Sequence, residues 1–168
     1  MNLVWLLWSC TGTGPDLHSQ SHWSVLGINA DGSLLDVRFS SSNSGMLLEQ
    51  GHARADWIPL KEGAIRYRRD ALADNSSVSD QGAQIGPDEL IENESTWQLK
   101  IQSGELDARM QFNNELIEAP RSDWSGWSVQ HAFAGEMQGV IRSGMQNTLV
   151  NGHGVGIYSS GNRSPGHH

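Results

Sequence analysis

The chain contains one cysteine, Cys10, among its 168 residues. A single thiol excludes an intramolecular disulfide framework and any zinc site built from several cysteines. Basic residues are also few, because eleven Lys and Arg stand against nineteen Asp and Glu, giving a net charge of −8. Binding to nucleic acid depends on a basic surface that neutralises phosphates, so nucleic acid is excluded as the main partner.

Long apolar runs and helical patterns are missing as well. No stretch of the sequence approaches the ~20 apolar residues that a helix needs to span a bilayer, and no amphipathic helix of ordinary length is evident. Charged residues make up only 18% of the chain, whereas glycine contributes 19 residues. This composition favours many short strands joined by polar turns, and it predicts an all-β protein.

Alternating apolar residues separated by turn residues indicate where the strands lie. Residues 22–29 and 34–40 flank an Asp-Gly pair at 31–32, which is a strong signal for a tight hairpin turn. A second hairpin is predicted around Ser-Gly at 103–104. The short basic run at 66–69 is typical of a strand in which the tyrosine faces inward and the flanking arginines face water.

About eight to ten such strands, with little helix, predict a single antiparallel β-barrel or a strongly curved β-sandwich. The domain is placed at residues 22–168. Within it, the polar stretch 70–94 is predicted to be irregular or to carry one short strand around 84–85. Residues 119–127 are predicted to form a loop.

The apolar faces of the strands would line the inside of a barrel, where they could hold an apolar ligand. The candidate lining residues are Trp57, Tyr67, Trp97, Leu99, Met110 and Phe112. Seven tryptophans are more than a small core requires, and two alternatives to a ligand cavity remain open for them. In the first they fill the core, and in the second Trp124 and Trp127 form a platform for stacking sugars.

Catalytic and metal-binding motifs are not apparent. The seven histidines lack the spacings that bring metal ligands to one face of a strand or helix, so no metal and no cofactor are predicted. A nucleophile in a Gly-x-Ser-x-Gly context is absent, and the acidic pairs lie in polar segments where they are expected to be solvated. The residues alone therefore nominate no catalytic group, and they favour a binding protein.

Residues 1–10 resemble the end of a bacterial lipoprotein signal. An apolar run is followed by Leu7 and Ser9, which occupy the −3 and −1 positions relative to Cys10. The resemblance implies that Cys10 is lipidated and anchors the protein to a membrane facing the periplasm, with residues 11–21 as a flexible tether. The alternative is an ordinary hydrophobic N-terminus with a buried thiol in a cytoplasmic protein.

The last third of the chain carries a family resemblance. His-Ala-Phe at 131–133, "GHGVGIY" at 152–158 and "GNRSPGHH" at 161–168, together with "HWSVLG" at 22–27, resemble the first domain of the fungal survival factor family. That family is similar to bacterial carotenoid hydratases (hydroxyneurosporene synthases) and tocopherol cyclase-like proteins. The matching family-motif residues are His131, Phe133, His153, Pro165, His167 and His168.

The resemblance implies a lipocalin-like barrel that binds or shuttles an apolar lipid or isoprenoid, with a role in surviving oxidative stress. Members of that family have two barrels, so this chain is expected to be one barrel of that plan, truncated at its C-terminus and lacking a second barrel as partner. An isoprenoid hydratase or cyclase, with His131, His153 and Asp56 protonating a double bond, is the alternative. A carbohydrate-binding module is the third hypothesis.

Overall fold

The computed structural model describes residues 19–42, 50–113, 115–116 and 127–162. One short 3-10 turn, Ala73–Asn75, and twelve strands occupy these ranges. The strands are β1 (Ser19–Asn29), β2 (Leu34–Ser42), β3 (Gln50–Ile58), β4 (Ile65–Leu72), β5 (Ser76–Ser79), β6 (Gly82–Ile85), β7 (Asp88–Asn93), β8 (Thr96–Ile101), β9 (Leu106–Asn113), β10 (Glu115–Leu116), β11 (Trp127–Ser143) and β12 (Gln146–Asn162).

All the strands belong to one antiparallel sheet. Its order is β4-β3-β2-β1-β12-β11-β9-β8-β7-β6-β5, and β10 pairs with β11 beside this path. The first strand pairs with the last, and the short edge strand β5 packs across β1, β2 and β3. The sheet therefore curls into a nearly closed barrel. The gap lies between the two edge strands, β4 and β5, which do not pair with each other.

The hairpin between β1 and β2 shows how the sequence sets the strand register. Asp31 accepts hydrogen bonds from the backbone N–H of Ser33 (2.8 Å) and from the side chain of Asn29 (2.9 Å). These bonds lower the pKa of the Asp31 carboxyl group, with the Ser33 backbone bond as the main cause. Gly32 has φ of 88°, a left-handed conformation that suits glycine. The predicted Asp-Gly hairpin is confirmed.

The predicted fold class is confirmed, and the strand patterns agree closely with the structure. Alternating residues of β2, β8 and β9 are buried, and Tyr67 of β4 faces inward while Arg66 and Arg68 are exposed. The described residues contain more strands than the eight to ten expected. The excess lies in 70–94, where the sequence predicted at most one strand and the structure forms β5, β6 and β7.

The start of β1 also differs from the predicted tether. Ser19–Ser21 belong to the strand because they pair with Ser160–Asn162 of β12, so the last three residues of the 11–21 segment are ordered by the sheet. No helix within the described ranges has the length and apolar character that crossing a membrane requires.

The barrel interior is filled by side chains that alternate along each strand. The largest fully buried ones are three tryptophans, three phenylalanines and several aliphatic residues. Burying each of these apolar side chains contributes about 1.5–3 kcal/mol. The side chains that the sequence predicted to line a ligand cavity lie in or against this core. Polar groups lie at its margins.

Glycines of β12 make room for this core. Gly154 and Gly156 face inward, and a Cβ added at either position would overlap the rings of Phe112 and Phe133, respectively. The backbone of β12 is thus the floor on which these two rings lie. This packing accounts for the alternating glycines of the "GHGVGIY" segment.

Candidate functional site

Six rings from five strands meet at one part of the barrel interior, and we call them the aromatic cluster. Phe133 stacks on Trp97 with ring centroids 4.8 Å apart and an interplanar angle of 11°. Trp23 lies 4.7 Å from Trp97 by ring centroids. The full set is Trp23, Trp97, Phe112, His131, Phe133 and Tyr158. These contacts bury the rings against one another, and only His131 is partly exposed.

Two nitrogen atoms in the aromatic cluster have no hydrogen-bond partner. They are Nε1 of Trp97, a residue with no exposed surface, and Nε2 of His131. By contrast, Nε1 of Trp23 donates to the backbone carbonyl of Ser79 over 2.7 Å. A buried unpaired polar atom costs about 1–3 kcal/mol. A molecule that brought an oxygen atom to these nitrogens would recover part of that cost.

A β-bulge positions His131. The register between β11 and β12 shifts between Val129 and His131, after which His131 pairs with Tyr158. Across β12, Tyr158 pairs with Trp23 of β1, and Trp23 pairs with Phe39 of β2. The bulge therefore brings the imidazole into the same inward-facing row as three other aromatic rings.

The next inward-facing row consists of serines, and we call it the serine tier. Ser41 of β2 pairs with Ser21 of β1, Ser21 pairs with Ser160 of β12, and Ser160 pairs with Ser128 of β11. Ser41 is buried and the other three are partly exposed. The hydroxyl of Tyr158 donates to Oγ of Ser21 over 3.3 Å. This bond joins the serine tier to the aromatic cluster.

A second polar group, the closing network, lies where edge strand β4 approaches β7 and β8. Asp88 is fully buried, and its Oδ2 accepts from the hydroxyl of Tyr67 (2.7 Å) and from Nε of Arg69 (2.9 Å). Its Oδ1 accepts from the backbone N–H of Gln102, whose carbonyl accepts from Arg69. Burial, followed by the hydrogen bond to Asp88, raises the pKa of Tyr67 to about 12. Every polar atom of the Asp88 side chain is thus paired.

The six predicted lining residues all lie in or against the interior. Trp57, Trp97, Leu99, Met110 and Phe112 are buried in one hydrophobic core, and Tyr67 packs against it. Only Trp97 and Phe112 belong to the aromatic cluster, whereas Tyr67 belongs to the closing network. That the six residues bind a ligand stays a prediction.

The structure does not bring together the three residues nominated for a hydratase or cyclase. His131 faces the aromatic cluster, whereas His153 is exposed on the outer face of β12, opposite Glu136 and Ile28. His153 lines an outer groove of about 620 Å³ there. Asp56 is buried, but its Oδ2 accepts from Arg54 over 2.5 Å. The two histidines point to opposite faces of the sheet.

Several predictions fall on residues outside the described ranges. These are the lipidation of Cys10, the sugar platform at Trp124 and the family-motif residues Pro165, His167 and His168, and they stay predictions. Nothing is described of the Trp127 side chain either. Within the described ranges, no three His, Cys, Asp or Glu side chains converge into a group that could hold a metal ion.

Sequence reasoning missed the serine tier and the closing network. The tier had a usable signal, because each serine lies two or three residues along its strand from an inward-facing aromatic residue. The closing network had none, since Asp88 lies in a polar stretch that resembles a solvated loop. Only the folded path of the chain brings it to Tyr67 and Arg69.

The chain is similar in fold to known structures. No family model matches it, and no curated protein matches it. A candidate AttH from Nitrosomonas europaea superposes with a TM-score of 0.68 at 8% identity, covering 89% of this chain and 53% of that one. CghA, solved alone and with Sch210972, gives TM-scores of 0.52 and 0.50 at 12% and 13% identity, covering 85% of this chain and 45% of CghA.

At these identities the similarity shows the fold alone. The match to the AttH structure supports a lipocalin-like barrel, a fold that suits ligand binding in general. The chain spans about half the length of the solved structures that it matches. Membership of the survival factor or carotenoid hydratase family stays a prediction.

Proposed function

We propose that this protein binds or shuttles an apolar lipid or isoprenoid against the aromatic cluster, without catalysing a reaction. One observation carries the proposal. An apolar cluster of six rings contains two unpartnered nitrogen atoms and is bordered by serines, so it combines apolar packing partners for a hydrocarbon with a few polar groups that could orient a ligand.

Packing of the cluster defines how a ligand would enter. Trp97 has no exposed surface, whereas His131 is partly exposed and its ring centroid lies 5.5 Å from that of Trp97. His131 is therefore the ring of the aromatic cluster that an entering ligand would meet first. The driving force is the transfer of hydrocarbon from water, worth ~25 cal/mol per Å² of apolar surface.

The structural neighbours offer one further support for the proposal. CghA, which shares the fold, has been solved with Sch210972, so a protein that contains a barrel of this kind has been solved with a compound. A hydratase or cyclase finds no comparable support, because His131 and His153 lie on opposite faces of the sheet.

Delipidated protein titrated with farnesol, oleic acid and a ceramide tests the proposal, with tryptophan emission as the readout. We expect at least one probe to shift the emission, and the shift to weaken in His131→Ala. His153→Ala is the matched control on the paired strand and should bind like the parent. If no probe shifts the emission and the protein carries no extractable lipid, the proposal is wrong. Equal losses in both variants would also contradict it.

A further inference from the structure

We infer that the ligand carries an uncharged hydroxyl or carbonyl group at one end, and that the serine tier binds this end. The inference rests on the proposed function, because it specifies the chemistry of the molecule held against the aromatic cluster. Fatty alcohols, isoprenoid alcohols and their carbonyl counterparts share this chemistry, whereas fatty acids and phospholipids do not.

The serine tier places its side chains in one continuous row. Its four residues lie on four neighbouring strands in direct register, on the inward face. Neighbouring strands lie about 4.8 Å apart, so the four hydroxyls form a row roughly 14 Å long. A row of this kind borders the aromatic cluster along one side, where the end of a ligand packed on the rings would lie.

Two hydroxyl groups of the serine tier accept hydrogen bonds from other side chains. Oγ of Ser21 accepts from Tyr158, and Oγ of Ser128 accepts from the side-chain amide of Gln130 over 3.1 Å. Because a hydroxyl has one hydrogen, each of these serines keeps its own O–H for donation. The tier therefore presents donors to an oxygen acceptor, as a carbonyl or hydroxyl provides.

The lack of Lys and Arg side chains around the site disfavours a ligand with an anionic end. Among the described residues, no Lys or Arg belongs to the serine tier or to the aromatic cluster. Arg69 faces inward from β4, but its guanidinium group donates to Asp88 and to the carbonyl of Gln102. A carboxylate or phosphate would be desolvated here with no Lys or Arg to pair with it, and His131 is the one ring of the aromatic cluster that could supply a positive charge.

Affinities for dodecan-1-ol and dodecanoate at neutral pH test the inference, because the two probes differ only at the polar end. We expect the alcohol to bind at least about ten-fold more tightly. Replacing Ser21 and Ser160 with alanine should weaken binding of the alcohol about ten-fold, since two donors are lost. The matched control replaces Ser24 and Ser159, which lie on the outer faces of the same two strands, and it should bind like the parent.

The outcomes separate the two proposals. If neither probe binds, the proposed function fails and the inference fails with it. If both bind equally, or dodecanoate binds more tightly, only the inference is wrong. Equal urea midpoints for the two double variants would show that a loss of binding in the Ser21 and Ser160 variant reflects the missing hydroxyls rather than the stability of the barrel.

Discussion

Polar atoms lie in two buried regions of the barrel, and the regions differ in whether all of these atoms have hydrogen-bond partners. In the closing network, both oxygens of Asp88 are paired. In the aromatic cluster, Nε1 of Trp97 and Nε2 of His131 have no partner. A fully paired buried network stabilises a unique structure, whereas each unpaired buried atom lowers the stability of the unliganded protein. The difference fits a structural role for the first region and the binding role that we propose for the second.

Replacing Asp88 tests whether the closing network is structural, and it should cause the largest loss of stability. Asp88→Ala leaves Tyr67, Arg69 and the Gln102 N–H without their acceptor, and we expect a loss of about 3 kcal/mol in the free energy of unfolding. Urea denaturation measures it. Asp36→Ala is the control, because Arg38, which pairs with Asp36 over 2.9 Å, is exposed and the pair should contribute less than about 1 kcal/mol. Similar losses in both variants would show that the closing network is not structural.

The aromatic cluster can be tested for tight packing through its glycine floor. In Gly156→Ala the new Cβ overlaps the ring of Phe133, so we expect a loss of about 1–3 kcal/mol. Gly63→Ala is the control, because a Cβ there meets no atom within 4 Å. A second change, Phe133→Leu, should recover part of the loss in a double-mutant cycle. If Gly156→Ala is as mild as Gly63→Ala, the cluster is loosely packed.

Two buried tryptophans within the aromatic cluster differ in whether their indole N–H is paired. Trp23 and Trp97 are both fully buried, yet only Trp23 has a partner for its indole N–H, the carbonyl of Ser79. Trp23→Phe leaves that carbonyl unpaired, whereas Trp97→Phe removes an unpaired donor. We therefore expect Trp97→Phe to be less destabilising by about 1–2 kcal/mol. Equal unfolding free energies for the two variants would contradict the contrast between paired and unpaired atoms.

Much of the fold was predictable because local alternation records which face each strand buries. Trp97, Leu99 and Phe112 were placed on inward faces from spacing alone, and they are buried there. The strands within 70–94 were not predicted, since their short, serine-rich and acidic segments lack apolar alternation. These strands pair with their neighbours in sequence. The contacts that hold β5 against β1, β2 and β3 come from residues distant in sequence, as the bond from Trp23 to Ser79 shows.

The candidate site was only partly predictable, for a related reason. Spacing shows that His131 and His153 lie on strands, but it does not show that a bulge turns His131 inward. A bulge adds one residue and reverses the alternation beyond it, so the face of a side chain cannot be counted through it. The serine tier likewise emerges only when the registers of four strands are combined.

The ionisation of Tyr67 should have the smallest effect on the free energy of unfolding. It tests whether Asp88 holds the Tyr67 hydroxyl in the closing network. Burial and Asp88 raise the pKa of Tyr67 to about 12, above its ordinary value of 10. The native state therefore holds this proton longer than the unfolded chain, so its contribution is complete below pH ~10 and is lost as the pH rises toward ~12. Urea denaturation between these pH values should show a steeper fall in the parent than in Tyr67→Phe. Identical pH profiles would mean that the Tyr67 hydroxyl is solvated rather than held by Asp88.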